Sequence, residues 1–195
     1  MEPLSIVKYP HPALRWESKP VLEIDDRLRD AVRQMFALMY AANGIGLAAN
    51  QVALPWRLFV INATGDPTQT DQEFVFLNPE ILRRKGSDEG EEGCLSLPEL
   101  YGPVRRSTRV VVEAFDLEGR AFRMELEDFP ARVVQHEYDH IEGVLFIDRM
   151  TDAKRREYDA KLADFEAAFR RSQKAGEIPD DEELKRRLRE LEPRE

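Results

Sequence analysis

The chain has one cysteine and three histidines in 195 residues. A lone cysteine excludes an internal disulfide and suits a reducing compartment. No apolar run approaches the roughly 18 residues that a membrane span needs. The opening stretch MEPLSIVKYPHPALRW lacks the basic patch and apolar core of a secretory signal. A basic surplus is also missing: the formal net charge is −9, which argues against gripping nucleic acid or anionic membrane as a primary role. There is no internal repeat and no low-complexity segment. These absences point to a cytoplasmic globular protein, and its 42% hydrophobic content is enough for a real core.

What is present reads as alternating element types. In residues 25–42, Leu28, Val32, Met35, Phe36 and Met39 recur at helical spacing; Asp25 or Asp26 is placed to cap the start, and Asn43-Gly44 offers a left-handed stop. Strand-like runs follow at 57–63, 73–81, 109–115 and 121–128, the last two flanking the hairpin signal DLEG. The stretch FPARVVQHEYDHIEG then reads as a buried helix, with Pro130 in its first turn and Gly143 past its end. The acidic run SDEGEE, 87–92, reads as a solvated loop. This order predicts an α+β fold with mainly antiparallel sheets. Residues 1–150 form the expected main domain. From 151 the texture changes: Tyr158, Leu162, Phe165 and Phe169 mark one long helix, and Leu184, Leu188 and Leu191 a shorter one. Residues 151–195, nearly balanced in charge, form a C-terminal helical extension expected to pack on the same body.

Two of the three histidines, His136 and His140, stand four apart in QHEYDHIEG. On a helix that spacing aims both imidazoles at one point, with Glu137 set round the helix as an acid/base beside a divalent metal. A catalytic site of this type takes about three protein ligands and keeps one position for water. The residues alone leave the third ligand open. His11 lies in a proline-flanked loop, Glu157 and Asp159 lie downstream, and Cys94 sits in EGCLSLP, in a context unlike a core strand. A third stretch, GIGLAANQV at 44–52, follows a helix and leads into a strand, so it is no dinucleotide fingerprint. Its glycines permit close backbone approach, and Gln51 offers a side-chain N–H to an oxygen.

Taken together, GIGLAANQ (44–51), EGCLS (92–96) and HEYDH (136–140) resemble the three motifs of the peptide deformylase family, in the family's order and over roughly residues 3–150. The one small departure is Ile141 in place of the usual leucine. The resemblance implies that Cys94, His136 and His140 are metal ligands and Glu137 the acid/base, with Gln51 and the Leu95 N–H as oxyanion donors. Gly44, Ile45 and Gly46 would pair with extended substrate backbone, and Glu92 and Arg132 would border the substrate. It implies one divalent ion, Fe²⁺ in the cell, with Zn²⁺, Ni²⁺ or Co²⁺ also accepted. The substrates would be N-formylmethionyl nascent peptides close to the ribosome: metal-bound water attacks the formyl carbonyl and formate leaves. Glu92 and Arg106 are placed to form an ion pair steadying the Cys94 turn. Two other readings compete. A zincin-like peptidase would use HExxH with Glu157 or Asp159, and a structural metal site would be closed by a fourth ligand such as His11.

Overall fold

The computed structural model describes residues 3–193. Helix α1 (Asp26–Ala41) starts where Asp25 accepts the Leu28 N–H at 2.7 Å, which satisfies one of the open donors of the first turn. Its face of Leu28, Ala31, Val32, Met35 and Met39 is buried. The chain leaves the helix through Asn43 at φ +54°, the left-handed exit that Asn-Gly favours.

Five strands make one antiparallel sheet in the order β1 (Gly46–Ala48), β2 (Leu58–Ile61), β3 (Phe74–Lys85), β6 (Arg109–Phe115), β7 (Ala121–Glu127). The expected β6–β7 hairpin forms: Gly119 takes φ +76° in its turn, and Asp116 accepts the N–H groups of Glu118 and Arg120, both at 2.9 Å. Strands β4 (Asp88–Cys94) and β5 (Leu97–Arg106) form a separate antiparallel hairpin.

Helix α2 (Asp128–Ile141) joins the two sheets. Val133, Val134 and Ile141 pack with Phe59, Phe76 and Val112 of the large sheet. Phe59 and Phe76 stack at 4.7 Å between ring centroids, in the offset arrangement aromatic pairs prefer. The expected α+β class, antiparallel pairing and C-terminal helices are all present.

Two local expectations fail. Residues 87–92 are not a solvated loop: most of them lie in β4, where alternation turns Glu89 and Glu91 outward and Glu92 inward. The inward carboxylate is stable there because cations meet it, a condition no local charge count can reveal. The tail helix is not continuous either. It divides into α3 (Asp152–Arg156) and α4 (Asp159–Lys174), and Tyr158 lies at the break. Its hydroxyl donates to the Tyr101 carbonyl at 2.6 Å, and its ring packs on the same cluster as Leu162 and Phe165, so the apolar stripe survives the break in the helix. In α4, Leu162 joins the cluster of Leu14, Leu97 and Phe146, while Phe169 meets His11 edge-on. Helix α5 (Asp181–Leu191) buries Leu184 and Leu188. At its end the Leu191 carbonyl and the Glu192 carboxylate accept the indole N–H groups of Trp56 and Trp16, at 2.8 and 2.9 Å. No helix among the described residues is long and apolar enough to cross a membrane.

Candidate metal centre

Cys94 ends β4, where a tight turn pairs it with Leu97 of β5. His136 and His140 sit one turn apart on α2, their ring centroids 4.9 Å apart. These elements bring three ligand atoms, one from each residue, within 4.8 Å of one another. Cys94 Sγ lies 3.3 Å from His140 Nε2. A thiolate with two imidazoles is a donor set suited to borderline divalent metals.

The surroundings favour positive charge at this point. His136 is pushed up to about 10: burial opposes the charge, but hydrogen bonds with Cys94 and Glu92 and the nearby Glu137 carboxylate outweigh it. A divalent cation held here would meet the same thiol and carboxylates. Burial, followed by His136, holds His140 well below its ordinary value, so it offers a neutral ring. His136 Nδ1 lies 2.9 Å from Glu92 Oε2, the outer carboxylate contact that orients a ligand imidazole and leaves Nε2 for the ion. Donor set, field and orientation all fit a bound divalent metal.

Glu92 is itself fixed. Arg106 donates to both its oxygens at 2.9 Å, and Arg132 donates to Oε1 at 2.9 Å. Burial would raise the Glu92 carboxyl, yet hydrogen bonds from His136 and Arg106 bring it down to about 2. The Glu92–Arg106 pair expected from the sequence is therefore present and buried. It extends to Asp139, which accepts from Arg106 Nη1 at 2.5 Å and from Arg149 Nη2 at 2.7 Å. Arg132 also donates to the Val104 carbonyl at 2.8 Å, so its guanidinium braces the hairpin while its side chain walls the cleft.

Gln51 is buried in the 3₁₀ turn Ala49–Val52. Its Oε1 accepts the Ala48 N–H at 2.9 Å, which fixes the amide so that Nε2 faces Ser96 Oγ at 3.3 Å and Cys94 Sγ at 3.4 Å. Glu137 is buried with no partner for Oε2 among the described residues, and burial pushes it up to about 7. Opposite it, Gly46 leaves room that no side chain could share: a Cβ there would stand 2.5 Å from Glu137 Oε1. Gly44, Ile45, Gly46, Gln51, Glu92, Leu95, Arg132 and Glu137 all line one cleft of about 560 Å³.

The other ligand candidates lie elsewhere. His11 is buried as the cap of the 3₁₀ turn Pro12–Arg15, its Nδ1 accepting the Ala13 N–H at 3.1 Å. Glu157 is exposed and paired with Lys154 at 2.7 Å, and exposed Asp159 opens α4. Several contributors escaped the sequence reading. Asn50, beside Gln51 in its motif, donates to the His140 carbonyl. Asp139, inside HEYDH, holds Arg106 and Arg149. Tyr101 and Phe129, both more than half exposed, flank the cleft. The motifs contained the first two; the aromatic pair carried no signal.

Comparison with known families matches residues 3–156 to polypeptide deformylase. The chain belongs to that family. A peptide deformylase of Rhodopirellula baltica is 44% identical over 190 residues, covering 97% of this chain and 94% of its own. The crystal structure of a plant peptide deformylase superposes with a TM-score of 0.83 at 40% identity, covering 92% of this chain and 96% of that one. The deformylase of Plasmodium falciparum superposes at 0.81 and 38% identity, covering 88% and 98%. The chain is therefore an enzyme of the deformylase family, whose members remove the N-formyl group from new polypeptides. The zincin-type reading, which needs Glu157 or Asp159 near the histidines, is not favoured.

Proposed function

We propose that Cys94, His136 and His140 hold one divalent ion, Fe²⁺ in the cell with Zn²⁺, Ni²⁺ or Co²⁺ able to replace it, and that α2 is the central metal-binding helix. The observation that carries the reading is the convergence of three ligand atoms within 4.8 Å beside a buried carboxylate. Such an ion supplies Lewis-acid activation of water and of a carbonyl oxygen.

The chain's own groups account for the rest. The substrate, an N-formylmethionyl nascent peptide, lies extended along β1, an edge strand whose Gly46 borders the cleft. Gly44, Ile45, Glu92 and Arg132 bound its space. Glu137, near neutrality at about 7, accepts a proton from the attacking water and returns it to the departing amine. The Gln51 side-chain N–H and the Leu95 backbone N–H receive the oxyanion; losing one such donor costs roughly 10²–10³-fold. Water adds to the formyl carbon, the C–N bond breaks, and formate and a free amino terminus result. We place this reaction in the cytoplasm, on chains emerging close to the ribosome. Residues 1–150 carry it, and 151–195 form an appendage packed on the same body.

The test is formate release from a formyl-Met peptide, measured without oxygen after loading with Fe²⁺ and separately with Ni²⁺ or Zn²⁺, because a thiolate beside ferrous iron is liable to oxidation. Release is expected, together with loss of both metal and activity in Cys94→Ser. Full metal retention in Cys94→Ser overturns the ligand assignment.

A further inference from the structure

Three consecutive residues tie the two walls of the oxyanion site together. The Val7 N–H donates to the Gln51 carbonyl and the Tyr9 N–H to the Ser96 carbonyl, each at 2.9 Å. Between them, the Lys8 ammonium donates to the Leu95 carbonyl at 2.6 Å. That carbonyl belongs to the Leu95–Ser96 peptide, whose N–H points the other way, to Cys94 Sγ at 3.4 Å. Ammonium, peptide and sulfur thus form one hydrogen-bonded chain.

A charge-assisted bond at a peptide oxygen polarises the peptide and strengthens its N–H as a donor. Lys8 is free to act in this way, because among the described residues no carboxylate pairs with it. Its side chain forms part of the cleft wall. Gln51 Nε2, at 3.4 Å, is the other N–H donor facing the sulfur. Hydrogen bonds to a metal-bound sulfur reduce its donation to the ion and so tune the metal's electronics.

We propose that Lys8 is a positioning residue for the thiolate ligand: through the Leu95–Ser96 peptide it strengthens the N–H···S bond to Cys94 and pins the turn that presents the Leu95 N–H. This rests on Cys94 being a ligand. A sulfur relieved of this bond donates more strongly, leaving the ion a weaker Lewis acid. Lys8→Met keeps the length and apolar stem of the side chain but removes the donor, whereas Lys8→Arg keeps a cationic donor.

The experiment uses the full chain loaded with Co²⁺, reading the sulfur-to-cobalt charge-transfer band alongside kcat and KM on a formyl-Met peptide. In Lys8→Met the band moves to longer wavelength and kcat falls by about tenfold, the low end for an outer contact of a metal ligand, while KM stays near the parent value. Lys8→Arg restores both. A band in Lys8→Met superimposable on the parent's overturns the proposal, whatever happens to thermal stability. If Lys8→Met fails to fold, Lys8→Gln, with a neutral donor, takes its place: an intermediate shift supports the chain of bonds and no shift overturns it. Absence of any charge-transfer band in the parent protein overturns the ligand assignment itself, a separate failure.

Discussion

Replacing Gly46 by alanine adds one methyl group, and the structure says where it goes. Its carbon would stand 2.5 Å from Glu137 Oε1 and 2.8 Å from both Cδ and Cγ, whereas ordinary contacts begin at 3.4 Å. The carboxylate must therefore retreat by about 0.9 Å. Swinging into the cleft moves it off its present position, and the helix cannot follow the methyl's push, because α2 is held on the large sheet through Val133, Val134 and Ile141. The backbone imposes no conflict of its own, since Gly46 lies in a strand and is not among the positive-φ glycines. A catalytic group displaced by about 1 Å costs on the order of 10²-fold in rate, and the whole acid/base contribution is 10²–10⁴-fold. Gly46→Ala is therefore expected to keep its metal, measured by elemental analysis, and to lose roughly 100-fold in kcat for formate release. Because the loss acts through Glu137, the double variant Gly46→Ala/Glu137→Ala should be no slower than Glu137→Ala alone, the signature of coupled sites. A variant whose KM rises while kcat is unchanged would refute this reasoning, since the methyl would then only obstruct substrate.

Glu137→Ala alone should retain full metal content and lose about 10²–10⁴-fold in kcat; metal loss measured alongside would make the carboxylate a ligand instead. Arg106→Ala leaves the buried Glu92 and Asp139 without their shared cation. Because Arg132 still meets Glu92 and Arg149 still meets Asp139, it should cost about 1–3 kcal/mol in urea unfolding, and an effect below about 1 kcal/mol, the scale of a surface pair, would contradict the burial argument. His11 is lowered by burial from 6.5 to about 4, with the charge of Asp181 opposing. Between those pH values the unfolded chain takes up a proton that the folded chain refuses. Stability contributed here is full above pH 6.5 and falls by up to about 3 kcal/mol as pH drops to 4. His11→Asn, which keeps an acceptor for the Ala13 N–H, should flatten that part of the melting-temperature profile; an unchanged slope would show that the imidazole is not responsible.

The parts legible in the sequence share one property: their cause is local. Asp25 and Asn43-Gly44 bound α1 because capping and left-handed exits are decided within a few residues, and the same holds for the Asp116–Gly119 turn. His136, Glu137 and His140 are legible because helical spacing alone puts them together. Cys94 is different. Nothing local chooses it over His11 or Glu157; it required either family likeness or the β4–β5 turn seen against α2. The misread acidic run has the same origin. Glu92 is buried because Arg106, Arg132 and His136 reach it from two other elements. The split at Tyr158 likewise depends on a carbonyl far away in β5.

The chain has only two tryptophans, and both indoles end on the last turn of α5 or just past it. Tryptophan emission, excited apart from the tyrosines, is thus a gauge of tail docking, since neither indole lines the cleft. A titration with peptide should leave emission unmoved, whereas an early red shift on heating would register the tail peeling away from a body whose chemistry still runs.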